Sequence, residues 1–200
     1  MDKTTIKENA SSILDDIFSV IPNSFLILGS ALGAVRDSDF IVNNMFDIDI
    51  GIMSDDFKWE YITELVRKGF NIRLVLGQRN YGLSVHLERN DIHVDILLFY
   101  KDKDKIWSIS WFLNSELHQE FSHEAFNIEE REVFGKKVRS LGEKYVEEYY
   151  GKNWKIPQEE FDWRNEPRSI KKIKEDPHFK ETGFNIYMTD ERDRLLETIL

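Results

Sequence analysis

Residues 29–49 read GSALGAVRDSDFIVNNMFDID. The stretch opens with a glycine and a serine, continues as a short apolar segment, and returns into Asp47, Ile48 and Asp49. Side chains alternate between the two faces of a β-strand, so the two aspartates point to one face and Ile48 points to the other. The stretch therefore predicts a strand with two carboxylates on one face and an apolar face behind them.

Two carboxylates on one strand have the chemistry of a divalent-cation site. Mg²⁺ prefers oxygen ligands, and proteins usually hold it with one or two carboxylates together with substrate phosphates. A D-x-D pattern also occurs often by chance, and a strand whose polar face meets solvent is the simpler interpretation. The rest of the chain has to distinguish the two interpretations.

The segment before the aspartates has the features of a phosphate site. An apolar strand is predicted at 24–28, and we expect Ser30 to cap a helix over 31–36. The first N–H groups of a helix are unpaired and lie at its positive end, so Gly29 and Ser30 are candidate phosphate ligands. An ordinary strand-to-helix turn with a serine cap is the alternative.

A third candidate carboxylate, Asp95, lies in a predicted β-hairpin over 81–99. The hairpin has a two-residue Asn-Asp turn between two strand-like runs. If the turn sets the register, His86 lies across from Asp95, and Glu88 lies across from His93. One polar sheet face would then carry two acids and two imidazoles.

Composition excludes several classes of protein. The chain of 200 residues has a formal net charge of −10, which disfavours nucleic acid as a partner because nucleic-acid binders need a basic surface. It has no cysteine, so disulfides, thiolate nucleophiles and cysteine-based zinc sites are excluded. The N-terminus lacks a signal-peptide pattern and no apolar run approaches ~20 residues, so we expect a cytoplasmic protein without an integral membrane segment.

The chain divides into one domain and a C-terminal extension. We expect the domain to span residues 1–165, and residues 166–200 to form a charged arm that is packed on the domain or partly disordered. Three of the four prolines lie at or beyond position 157. The anchors that we expect for the extension are aromatic: Trp154, Phe161 and Trp163. Residues 169–200 have the composition of one or two marginal helices.

The order of these features resembles the nucleotidyltransferase fold shared with DNA polymerase β. That pattern has a G-S turn, then D-x-D, then a single acidic residue on a neighbouring strand. The resemblance implies an α+β fold with a mixed β-sheet flanked by helices and followed by a C-terminal extension.

Four sequence blocks narrow the resemblance to the LicD family, which includes the fukutin-related proteins. The blocks are GSALGAVR at 29–36, DIDI at 47–50, IHVDI at 92–96 and YGKNWKIP at 150–157. The resemblance covers about residues 24–165. Family members usually carry I-P-W-D-D before D-I-D, whereas residues 41–46 read IVNNMF, so the sequence leaves the donor open.

The resemblance implies transfer of a phospho-alcohol group, such as phosphocholine or a polyol phosphate, from a CDP-linked donor to a glycan acceptor. It also implies Mg²⁺ or Mn²⁺ as cofactor. The expected catalytic residues and metal ligands are Asp47, Asp49 and Asp95. The expected phosphate ligands are Gly29, Ser30 and Arg36. His93 and His86 are expected to hydrogen-bond around the metal ligands.

Alternatives remain at this stage. Arg36 could instead form a surface salt bridge with Asp37 or Asp39. The same carboxylates could serve a nucleotidyltransferase that adenylates a small molecule such as an aminoglycoside. The altered residues 43–46 also suit a degenerate domain that binds a nucleotide or a partner protein without catalysis.

Overall fold

A computed structural model of the chain describes residues 3–40, 46–103, 105–111, 117–124, 126–158 and 170–175. The helices in these ranges are α1 (Lys3–Val20), α2 (Leu28–Arg36), α3 (Trp59–Arg67) and α4 (Glu143–Tyr150). The strands are β1 (Phe25–Leu26), β2 (Asp47–Met53), β3 (Asn71–Gln78), β4 (Tyr81–Arg89), β5 (Ile92–Asp102), β6 (Lys105–Trp111), β7 (Leu117–His123), β8 (Ile128–Val133), β9 (Lys136–Leu141) and β10 (Ile170–Glu175).

The strands form one mixed sheet in the order β10-β7-β6-β5-β2-β1-β9-β8, with β4 beside β5 and β3 beside β4. The pairs β2–β5 and β1–β9 are parallel, and the other pairs are antiparallel. The predicted α+β class, with a mixed sheet flanked by helices, is confirmed. The parallel pair β2–β5 lies near the middle of this order.

The apolar face of the central strands builds the core. Ile48, Ile50 and Ile52 of β2 are fully buried, and α1 packs a stripe at helical spacing into the same core: Ile6, Ala10, Ile13, Leu14 and Ile17. A one-residue slip of β2 would turn its isoleucines away from this core and point its aspartates into it, so burial of the isoleucines fixes the register. Asp47 and Asp49 lie on the opposite face of β2.

The predicted hairpin between β4 and β5 is confirmed. Asn90 and Asp91 form the two-residue turn, and both have a positive φ, of 54° and 60°. Two consecutive left-handed residues match the right-handed twist of the flanking strands. The register places His86 opposite Asp95 and Glu88 opposite His93, as predicted.

The prediction that Ser30 caps a helix over 31–36 is wrong. Helix α2 begins at Leu28, whose φ of 44° turns the chain out of β1, and Ile27 occupies the N-cap position without a side-chain cap. Ser30 lies inside the first turn and is buried. Its hydroxyl bonds the backbone of β2 instead, so a tertiary partner replaces the local one.

The C-terminal extension contributes a strand rather than a helix where it is described. Strand β10 pairs antiparallel with β7, because the backbone of an edge strand is available for pairing. The helical expectation is therefore wrong for residues 170–175. Trp154 is buried as expected, whereas Phe161 and Trp163 lie outside the described residues. No helix in the described ranges has the length and apolar character to cross a membrane.

Candidate metal and phosphate site

Strands β2 and β5 bring the three predicted carboxylates together. Their parallel register places Asp49 directly opposite Asp95, with Asp47 two residues before Asp49 on the same face. One carboxylate oxygen from each of the three residues lies within 4.8 Å of the others. Oxygen ligands of a divalent cation lie about 2.0–2.6 Å from it, so a single ion can reach all three. The predicted convergence is present in the structure.

The electrostatics of these carboxylates favour a bound cation. Burial and, to a smaller extent, the negative charge of Asp95 raise the pKa of Asp47 to about 6, although the imidazoles of His93 and His86 act in the opposite direction. Burial also raises the pKa of Asp49, and the charges of Asp47 and Asp95 add to the effect. A divalent cation would compensate this repulsion, so the donor set fits Mg²⁺ or Mn²⁺.

Asp49 is held by the first turn of α2. Its backbone N–H donates a hydrogen bond of 2.9 Å to Ser30 Oγ, and its carboxylate lies 3.4 Å from the backbone N of Ser30. The Gly29 and Ser30 amides both lower the pKa of Asp49, although burial outweighs them. The helix N-terminus therefore faces a protein carboxylate, the kind of anion that such a terminus stabilises.

Asp95 is oriented by His86. The Nδ1 atom of His86 lies 2.7 Å from Asp95 Oδ1, and Nε2 lies 3.0 Å from Ser84 Oγ. A carboxylate only accepts, so Nδ1 donates to it, and the Nε2 of a neutral imidazole then accepts from the Ser84 hydroxyl. Such a chain fixes the ring and the carboxylate that it contacts.

His93 belongs to a second polar group on the same face. It lies opposite Asp47 on β2 and opposite Glu88 on β4. Arg73 Nη1 lies 2.5 Å from Glu88 Oε2 and 3.0 Å from His93 Nε2. His93 is thus beside the carboxylates but bonded to Arg73, whereas His86 bonds a carboxylate directly.

Arg36 forms the salt bridge that the sequence left as an alternative. Its Nε and Nη2 atoms donate to the carboxylate of Asp37 at 2.8–3.1 Å. Asp39, the other proposed partner, pairs with Lys7 instead. The phosphate roles of Arg36, Gly29 and Ser30 remain predictions.

Helix α4 adds neighbours that the sequence did not indicate. Tyr145, Tyr149 and Tyr150 have pKa values raised mainly by burial, and the charge of Asp49 contributes to all three. These tyrosines follow Asp49 by about 100 residues in the chain, and no local sequence pattern indicates that they lie near it. Ser84 and Arg73 were also missed. Side chains two residues apart in a strand share a face, so the position of Ser84 beside His86 was predictable from the sequence.

The fold and the site together define a domain with an acidic, cation-suited centre at a parallel strand pair of an open mixed sheet. The chain belongs to the family described as LicD/FKTN/FKRP, nucleotidyltransferase domain, whose family model matches residues 23–140. That match includes all three aspartates and the first turn of α2.

Curated relatives carry the name ribitol-5-phosphate transferase FKTN. The mouse protein is 28% identical over 149 residues, the Macaca fascicularis protein 27% and the human protein 26%. Each alignment covers 73% of this chain and 32% of the relative. The chain thus spans about a third of the length of these relatives.

Proposed function

We propose that this domain is a metal-dependent transferase that moves a phospho-alcohol group from a CDP-linked donor to a glycan acceptor. Phosphocholine and polyol phosphates are the candidate groups, and the name of the relatives favours ribitol 5-phosphate. The observation that carries the proposal is the convergence of Asp47, Asp49 and Asp95 in a chain of this family. The proposal includes the nucleotidyltransferase fold and a cytoplasmic location.

Asp47 and Asp49 would hold Mg²⁺ or Mn²⁺ together with Asp95. When bound, the cation would supply positive charge to the diphosphate of the donor and to the leaving CMP. The raised pKa values of Asp47 and Asp49 support this assignment, because burial and like charges disfavour their ionised forms and a bound cation would favour them.

Asp95 has a second role open to it. Its side chain is 29% exposed, more accessible than the buried Asp49, and His86 fixes its orientation. A carboxylate held in this way can accept a hydrogen bond from an acceptor hydroxyl and take its proton during transfer. Positioning of the two substrates would carry much of the acceleration, as in other phosphoryl transfers.

Product analysis tests the proposal. The protein is incubated with Mg²⁺, a glycan acceptor and either CDP-ribitol or CDP-choline, and we expect release of CMP with gain of a phospho-alcohol on the glycan. An Asp47→Asn, Asp49→Asn double variant should lose this activity, whereas Asp55→Asn, an exposed aspartate outside the site, should retain it.

Three results would contradict the proposal or part of it. Pyrophosphate release from ATP with an amino sugar, and no CMP from the CDP donors, would favour the adenylating alternative. Metal-dependent nucleotide binding without turnover of any donor would favour a non-catalytic domain. Turnover by the double variant would remove these aspartates from the mechanism.

A further inference from the structure

Arg73 is a half-exposed cation beside the acidic centre. It lies on β3, and 49% of its side chain is exposed. Its Nη1 atom contacts Glu88 Oε2 at 2.5 Å and His93 at 3.0 Å from Nε2 and 3.3 Å from Nδ1. Glu88 and His93 therefore fix the position of the guanidinium.

The strand register places this cation on the face of the carboxylates. His93 lies opposite Asp47, and Glu88 lies opposite His93 on the next strand. Neighbouring strands are about 4.8 Å apart, so the strand of Glu88 lies about 10 Å from the strand of Asp47. The Arg73 side chain reaches back from β3 to both residues, so its guanidinium contacts the histidine that lies opposite Asp47.

Most of the hydrogen-bonding capacity of Arg73 is unused. A guanidinium has five N–H donors, and within the described residues the contacts of Arg73 involve Nη1 alone. The Nε–Nη2 edge, which binds phosphate in a bidentate manner, has no protein acceptor there. Arg36 differs, because its Nε and Nη2 atoms are bonded to Asp37.

We propose that Arg73, positioned by Glu88 and His93, binds a phosphate group of a substrate at the edge of the carboxylate site. The inference rests on the proposed function, since it assigns part of the same substrate site. The carboxylates repel a phosphate unless a cation lies between them, whereas Arg73 attracts it directly. The phosphate belongs either to the diphosphate of the nucleotide donor or to a phosphorylated acceptor.

Binding measurements on three variants test this role. Arg73→Gln removes the charge, Arg73→Lys keeps the charge but loses the planar fork, and Arg67→Gln is a matched control on α3, where Arg67 is 68% exposed and paired with Glu64. Calorimetry with excess Mg²⁺ uses three ligands: CDP for the donor, cytidine as a ligand without phosphate, and glucose 6-phosphate as a phosphorylated sugar that is no part of the donor. Melting temperatures confirm that each variant is folded.

We expect Arg73→Gln to weaken binding of a phosphate ligand about tenfold or more, Arg73→Lys to weaken it less, and Arg67→Gln to leave it unchanged. Loss confined to CDP assigns the phosphate to the donor, and loss confined to glucose 6-phosphate assigns it to a phosphorylated acceptor. Cytidine binding should not change. Native-like binding of both phosphate ligands by Arg73→Gln overturns the proposal, and so does a native protein that binds neither.

A titration with Mn²⁺ alone separates this inference from the proposed function. Arg73→Gln should bind Mn²⁺ as the native protein does, because Arg73 contacts none of the three aspartates. The Asp47→Asn, Asp49→Asn variant should lose Mn²⁺ binding. An intact Mn²⁺ site with unaltered phosphate binding in Arg73→Gln would thus reject Arg73 and leave the proposed metal site standing.

Discussion

The buried hydroxyl of Ser30 accepts a 2.9 Å hydrogen bond from the backbone N–H of Asp49. This bond joins the first turn of α2 to the strand that carries two of the three carboxylates. A serine that reads as a helix cap in the sequence is therefore a link between a helix and the acidic centre. Its removal should affect the site as well as the stability.

Ser30→Ala should lower both the free energy of unfolding and the affinity for Mn²⁺. The Asp49 N–H would be buried without an acceptor, which costs about 1–3 kcal/mol. The backbone beside the Asp49 carboxylate would lose its anchor, so we expect Mn²⁺ binding to weaken several-fold. Urea unfolding and calorimetric titration with Mn²⁺ measure the two effects.

Ser24→Ala is the matched control for Ser30. Ser24 is equally buried, but its hydroxyl donates to the carbonyl of Ile21, which also accepts from the Ser24 N–H. The variant should lose about 0.5–1.5 kcal/mol of stability and bind Mn²⁺ as the native protein does. Equal Mn²⁺ affinity in both variants would show that Ser30 has no role in the site.

Asp49→Asn should stabilise the protein when chelator removes all divalent cations. Asp49 is 8% exposed, and its pKa is raised by burial and by Asp47 and Asp95, so its charge opposes folding at pH 7. Asparagine keeps the acceptor for Ser30 and removes the charge. We expect the free energy of unfolding to rise, because asparagine does not carry the cost of a buried negative charge.

Saturating Mn²⁺ should reverse this order, because only the native site gains binding free energy from the ion. Asp55→Asn removes an exposed aspartate outside the site. It should change the free energy of unfolding by no more than about 0.5 kcal/mol, both in chelator and in saturating Mn²⁺. A loss of stability for Asp49→Asn in chelator would mean that the carboxylate is already compensated within the protein.

Stability without metal should fall as pH rises from about 4 to about 6. The pKa of Asp47 is about 6 in the folded protein against 3.8 for the free side chain, so in this window the folded state binds more protons than the unfolded state. Asp49 acts in the same direction, because its pKa is also raised. Protons and cations compete for these groups, so Mn²⁺ affinity should fall below about pH 6.

Chemical unfolding of the native protein and Asp47→Asn at a series of pH values isolates this effect. The difference between the two proteins cancels the titration of groups that do not interact with Asp47, such as Asp16. Burial, the largest single influence on Asp16, raises its pKa, but the contacts with Arg89 and Lys68 together outweigh burial and the pKa is lowered. We expect the free energy of unfolding of the variant to rise relative to that of the native protein as pH rises from about 4 to about 6. A difference that is flat between pH 4 and pH 7 would contradict the raised pKa.

The central strands were predictable because their alternation is strict. Asp47 and Asp49 alternate with buried isoleucines, and the Asn90-Asp91 turn sets the register that places His86 opposite Asp95. These features depend on neighbours within a few residues, where side-chain period and turn chemistry act.

The features that the sequence did not predict depend on contacts between residues that are distant in the chain. Ser30 has a good local role as a cap, yet its hydroxyl bonds β2. Residues 170–175 have helical composition, yet they extend the sheet at β7. No sequence motif marks Arg73, and only its contacts with Glu88 and His93 in the structure indicate a role. For Ser30 and residues 170–175 a tertiary contact outweighs a local preference, and for Arg73 tertiary contacts alone determine the position. A single sequence does not show which distant residues will be in contact.

Gly51→Ala should damage the site without touching a carboxylate. Gly51 lies on β2 two residues after Asp49, and an added Cβ would lie 2.4 Å from Phe25 Cε2 and 2.7 Å from Ile27 Cγ2. These side chains flank the entry into α2, so relief of the clash moves the helix start that holds Asp49. We expect the free energy of unfolding to fall by about 1–3 kcal/mol and Mn²⁺ binding to weaken.

Gly135→Ala is the control, because its Cβ meets nothing within 4 Å and its cost of about 1–2 kcal/mol comes from a φ of 73° alone. The two variants should lose similar stability in urea, but Gly135→Ala should keep native Mn²⁺ affinity. Native Mn²⁺ affinity in Gly51→Ala would show that the start of α2 can shift without disturbing the carboxylates.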